Sequence, residues 1–270
     1  MKKCIFKTEK IVAIKLGKFN SSGNQAGFTI VEVSVVIVLI ATSIVTFIAG
    51  MSLYEKSKIK MQISQLKQYK AAYESFKIEY NAMPGDFDMA SKRWESVPDG
   101  NGDGRINEDS ATVDSINKDY EMVKFFQHLY MSEFIKENFY NSALLNIGFP
   151  TIKLNSSMGM LAYGSDVTGS YADFQISEKT AKNFHAGLGM NVSQAKLTGS
   201  DMFNNYVGTS SPAIYSIIDN KIDDGNSREG IFTAYRAKNS KHGDCLSGVD
   251  GGYLVTNEEP ACMAIYIIDK

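Results

Sequence analysis

Histidine, cysteine, proline and tryptophan are all scarce, with three, three, five and one in 270 residues. The three histidines, His128, His185 and His242, follow no metal-ligand spacing, so the pattern excludes a histidine-built zinc centre. His128 falls in an aromatic-rich segment and reads as structural, while His185 and His242 read as solvated loop residues. Nucleophile elbow, phosphate loop and zinc motif are all missing. A membrane-anchored enzyme therefore has no catalytic constellation behind it, and the chain reads as not an enzyme. Clustered basic charge is also missing beyond the first residues. Lys2, Lys3, Lys7, Lys10, Lys15 and Lys18 against Glu9 give residues 1–27 a charge of +5, so the formal total of −2 leaves −7 on the rest. A mildly acidic body argues against direct nucleic-acid binding. At 44% hydrophobic and 21% charged, the chain can build a core. Cys4 lies in the basic leader. Removing that leader leaves Cys245 and Cys262, an even pair that suits an oxidising compartment, the alternative being two unrelated buried thiols.

Residues 28–50, FTIVEVSVVIVLIATSIVTFIAG, are apolar over the ~20 residues a helix needs to cross ~30 Å of hydrocarbon. Lysines before the run and a long polar body after it put the N-terminus in the cytoplasm. A conventional signal peptide would have an apolar region of ~7–15 residues followed by its cleavage site. Here the leader is long and ends in small and polar residues, Ser21 to Gly27, before the apolar run begins. Glu32 is the one charge within the run. A carboxylate at membrane depth is costly and is a functional candidate by default. It needs a cationic partner that the run does not contain. A cut after Gly27 would create one, the α-amino group of Phe28, best placed to neutralise the Glu32 of a neighbouring subunit. Such a pair sets register more than it adds net stability.

Gly27-Phe28-Thr29-Ile30-Val31-Glu32, at the junction of a basic leader and an apolar helix, resembles the processing site of type IV prepilins and type II secretion pseudopilins. The resemblance implies that a prepilin peptidase cuts after Gly27 and methylates Phe28, and that Glu32 is the assembly carboxylate. It implies other pilin or pseudopilin subunits and an inner-membrane assembly platform as partners. The implied location is the bacterial inner membrane, single-pass with the head periplasmic, and then a pilus or pseudopilus. The family's major subunits often carry Gly and Pro inside the membrane helix. Ala41 and Ala49 stand at those positions here, which together with a large head points to a minor subunit.

Beyond the membrane run, Ile59, Ile63, Leu66, Tyr69, Tyr73, Phe76 and Tyr80 recur at spacings of three and four, one helical face. Neither Pro nor Gly occurs over residues 51–83, and Pro84-Gly85 ends the pattern. One helix is expected over residues 28 to about 82, half for the membrane and half packed on a head; a free coiled coil is the alternative. Residues 114–138 read as an inserted amphipathic helix. Later apolar runs, Gly159–Tyr163, Gly230–Tyr235 and Cys262–Ile268, read as antiparallel strands. The expected class is α+β: a long N-terminal helix, an inserted helix and a C-terminal antiparallel sheet. The divisions are residues 1–27 (cleaved leader), 28–50 (membrane half of the helix), 51–83 (its periplasmic half) and 84–270 (globular head).

Two acidic stretches invite calcium. Asp99, Asn101, Asp103, Arg105 (through its carbonyl) and Asn107 occupy alternating positions of a calcium loop, with Gly104 at the turn. The twelfth position is Ser110 rather than a bidentate Glu, so the site would be weak, or a plain turn of Asp, Asn and Gly. Asp219, Asp223 and Asp224 form a second cluster, or a helix end capped at Gly225. Calcium in the head is common among pseudopilins, and the Cys245 and Cys262 pair resembles the C-terminal disulfide loop of many pilins. A pilus-borne adhesin or a calcium-dependent binding head is the rival function. Trp94 reads as core or as contact surface.

Overall fold

The computed structural model describes residues 27–106, 121–142, 144–164, 185–192, 208–237, 244–247 and 252–270. The chain divides into two compact units, Met1–Met51 and Ser52–Lys270. The architecture is α+β, a long N-terminal helix with a four-stranded antiparallel sheet and shorter helices.

Helix α1 spans Ile30–Tyr80 and contributes residues to both units. In the first unit it is apolar on all sides and exposed throughout. Its hydroxyls bond back to its own turns: Ser34 to the Val31 carbonyl, Thr42 to Val38 and Leu39, Ser43 to Leu39, and Thr46 to Thr42 and Ser43. That is how a helix keeps polar side chains satisfied without water. By length and composition α1 can cross a membrane.

In the second unit α1 has a buried stripe. Ile59, Leu66, Tyr69, Tyr73 and Phe76 are buried at the expected spacing, with Gln62, Gln65 and Ala72 between them. Tyr69 meets Phe126 edge-on at 5.4 Å, and Tyr73 stacks on Phe125 at 6.2 Å. Phe76 sits among Tyr80, Phe87, Trp94, His128 and Phe134. Trp94 is thus half-buried against the aromatic core. The helix stops at Tyr80, before Pro84, because Asn81 turns left-handed (φ 50°), a conformation asparagine tolerates well. A four-residue helix, α2 (Ala90–Arg93), follows, with Arg93 over the Tyr80 ring.

Helix α3, Glu121–Met131, carries Phe125 and Phe126. It ends earlier than the periodicity suggests. Phe134 N–H donates to the Leu129 carbonyl and Glu133 N–H to that of Tyr130, with Glu133 left-handed (φ 63°), a Schellman closure without glycine. The first part of the expected 114–138 helix lies outside the described residues.

Among the described residues the strands are β1 (Gly159–Tyr163), β2 (Ala186–Val192), β3 (Phe232–Arg236) and β4 (Cys262–Asp269), in spatial order β1-β2-β4-β3, all antiparallel. Helix α4, Pro212–Ile222, begins with proline in its first turn and lies against β3 and β4, while α3 lies against β1. Of the four strands, β2 had no apolar run to announce it. One of its glycines has a packing reason: a Cβ on Gly189 would fall 2.2 Å from the Tyr163 ring. The Tyr163 hydroxyl lies 3.1 Å from that of Tyr235, joining β1 to β3 across the two central strands.

Candidate functional site

At the start of α1, Thr29 is the capping residue and Glu32 the third residue of the helix. Glu32 Oε2 accepts from the Thr29 N–H (2.8 Å) and from its hydroxyl (2.8 Å), and Thr29 Oγ1 accepts the Glu32 N–H (3.2 Å). This is a reciprocal capping box. The spacing T-x-x-E announces it, so Glu32 has a neutral partner within its own chain besides the cation its depth in the run calls for. Gly27 and Phe28 precede the helix, and Phe28 is 87% exposed. A Cβ on Gly27 would meet nothing within 4 Å among the described residues. No described neighbour crowds that position. By contrast, a Cβ on Gly85 would fall 2.6 Å from the Glu121 carbonyl oxygen.

In the second unit, residues 99–105 fold around the buried Asp86. Its carboxylate accepts N–H groups from Asp103 (3.0 Å) and Gly104 (2.9 Å), and its carbonyl accepts that of Gly102 (3.0 Å). The fully buried Glu121 accepts the Asn101 N–H at 2.9 Å. Asp86, Asp103 and Glu121 bring one carboxylate oxygen each within 4.8 Å of one another. Of the sequence-derived set, only Asp103 belongs to this group. Asp99 instead receives the Ser91 N–H and hydroxyl, both at 2.7 Å, and the first of these holds its carboxyl below the usual range. Asn101 Oδ1 accepts the Asp103 N–H, Asp103 Oδ1 accepts that of Arg105, and Asn107 lies outside the described residues. Glu121 escaped sequence reading because folding, not spacing, brings it beside Asp86.

Burial pushes the Asp86 carboxyl up to about 6, the Asp103 charge adds to this, and the loop N–H groups pull the other way. Three hard oxygen donors within 4.8 Å of one another suit a divalent cation such as calcium. Calcium takes six to eight oxygens, so carbonyls or water would have to complete the shell. Two buried bases brace this loop. Lys124 Nζ donates to the Asp99 carbonyl (2.5 Å). His128 Nδ1 accepts the Gly85 N–H (2.9 Å) while Nε2 lies 3.0 Å from the Pro98 carbonyl. Burial holds the His128 pKa at about 4, so it is the neutral ring that pins the two turns together.

Asp219, Asp223 and Asp224 also converge, at the end of α4. Asp219 accepts the Tyr253 hydroxyl (2.7 Å), and burial pushes its carboxyl up to about 6. Asp223 accepts the N–H groups of Ile231 and Phe232, and Asp224 that of Asn226. These bonds clasp the helix end to the start of β3, with Gly225 left-handed (φ 81°) beyond the cap. His185 is exposed, and His242 lies outside the described residues.

Cys245 and Cys262 form a disulfide with Cα atoms 4.9 Å apart. It closes a seventeen-residue separation onto the first residue of β4, which by chain-entropy arithmetic is worth about 3 kcal/mol. No protein-family model, curated protein or solved structure matches this chain.

Proposed function

We propose that the chain is the precursor of a type IV pilin-like subunit, a minor pilin or pseudopilin. On this reading a prepilin peptidase cuts between Gly27 and Phe28, α1 holds the mature subunit in the inner membrane with its head outside the cytoplasm, and packing of such helices draws it into a pilus or pseudopilus. The observation that carries the reading is the run Gly27-Phe28-Thr29-Ile30-Val31-Glu32 set at the first turn of a helix apolar enough to span a bilayer. The surroundings of Gly27 support it: among the described residues no atom lies within 4 Å of where a Cβ would stand, which leaves the backbone open to an outside partner. Glu32, capped within its own chain by Thr29, would exchange those neutral donors for a neighbour's Phe28 ammonium on assembly.

The test is intact-mass and N-terminal peptide mass spectrometry on membranes from cells that contain a prepilin peptidase. Wild type should yield a chain starting at methylated Phe28, and Gly27→Leu should not. A wild-type chain that still starts at Met1, or is cut near Gly50, would sink the reading. A calcium-dependent binding head is the second reading, supported by the convergence of Asp86, Asp103 and Glu121.

A further inference from the structure

A peptide bond inside a helix is a poor substrate for hydrolysis. Its carbonyl is engaged four residues on, and the turns on either side hem in both faces. Where an apolar run meets water, a helix also tends to continue until its first N–H groups find acceptors. At the start of α1 that need is met at once. The N–H of Thr29 is taken by Glu32 Oε2, and the N–H of Glu32 by Thr29 Oγ1. The first helical bond then runs from Val33 N–H to the Thr29 carbonyl (3.2 Å). Gly27 and Phe28 are left in exposed, non-helical backbone. Upstream, the nearest residue with strong capping chemistry is Asn24. A helix begun there would enclose both Gly27 and Phe28.

We propose that Thr29 is the positioning residue for the cut. By locking Ile30 as the first helical residue, the Thr29–Glu32 box keeps the Gly27–Phe28 peptide out of the helix and open to attack. This rests on the processing reading above. The reaction served is hydrolysis: the C–N bond between Gly27 and Phe28 breaks, the oxygen of water leaves on Gly27 as a carboxylate, and Phe28 keeps the electron pair and departs as an ammonium.

The experiment uses the full-length precursor in membrane vesicles with a prepilin peptidase, following initial cleavage rates by intact mass. Thr29→Val keeps the shape and removes the hydroxyl. It should slow the cut about fivefold, the usual worth of a helix cap expressed as a rate. Thr29→Ser should restore the rate, and amide exchange at Phe28 should slow in Thr29→Val alone. Melting of the second unit should be the same in all three proteins. Wild type and Thr29→Val cut equally fast would overturn this inference and leave the processing reading standing. Serine and valine equally slow would also overturn it, because the peptidase would then be reading side-chain shape rather than the cap. A wild-type precursor that is not cut at this bond overturns both readings together.

Discussion

From Ile30 to Ser57 every residue of α1 is exposed, and Ser34, Thr42, Ser43 and Thr46 bond to carbonyls of the helix itself. From Ile59 to Phe76 the helix is half-buried, and its buried Gln62 and Gln65 reach other parts of the chain. Gln62 Oε1 accepts the N–H groups of Lys153 (2.7 Å) and Leu154 (3.3 Å), and Gln65 Nε2 donates to the Thr151 carbonyl (2.8 Å). One stretch satisfies its polar groups alone, as a helix in lipid must; the other depends on partners more than eighty residues away. Helical periodicity is thus a sign of tertiary packing here, and its loss toward the N-terminus marks a stretch apolar enough to cross a membrane.

The sharpest way to break this contrast is a pair of matched truncations. Phe76→Ala should cost about 3–5 kcal/mol in denaturant unfolding, since the ring is fully buried among five aromatic partners. Phe47→Ala, whose ring is 69% exposed, should leave that transition where it was. Equal losses would break the contrast. A smaller difference is expected from polar groups. Gln62→Leu should cost about 1–3 kcal/mol, because it orphans the Lys153 and Leu154 N–H groups. Thr42→Val should change unfolding by a few tenths at most, about what a surface substitution does.

The smallest effect is a pH dependence confined to the second unit. Burial raises the Asp219 carboxyl to about 6, so the fold holds that proton more tightly than the unfolded chain does. Its contribution is complete below about pH 4 and fades as pH rises through 6. Asp269 has the opposite sign. Burial works against its charge, but the bonds from Lys77 and Tyr73 prevail and hold it below the usual range. Its contribution is present above about pH 4 and lost below. Asp219→Asn should flatten the fall in denaturation midpoint between about pH 4 and 6, and Asp269→Asn should flatten only the loss below about pH 4. A change of slope in the other window would show the two carboxyls assigned the wrong way round.

Much of the fold could be read in advance, because its signals are local. The stripe from Ile59 to Phe76 gave the packed half of α1, and the runs Gly159–Tyr163 and Cys262–Ile268 gave β1 and β4. What could not be read depends on partners distant in sequence. Gly187 and Gly189 look like loop residues until Tyr163 is laid over one of them. Glu121 looks like an ordinary helix-start residue until the chain returns it to Asp86. In the calcium-like loop, the spacing from Asp99 to Arg105 described the turn well but said nothing of Ser91, which claims the Asp99 carboxylate. The Thr29–Glu32 box was local and legible, and was passed over because a membrane carboxylate directs attention toward cations.

The bonds from Tyr73 and Lys77 to Asp269 span 196 and 192 residues of sequence. That distance sets a timetable for synthesis. Tyr69, Tyr73 and Phe76 emerge early, but β4, whose end anchors this stretch of α1, is made some two hundred residues later. For that whole interval the nascent stripe lacks this anchor, and a ribosome stalled before β4 leaves a chain that cannot complete its closure. Phe125 and Phe126 are made early enough to meet Tyr73 and Tyr69 well before then, so the clasp by Asp269 is the last of the stripe's anchors that synthesis supplies.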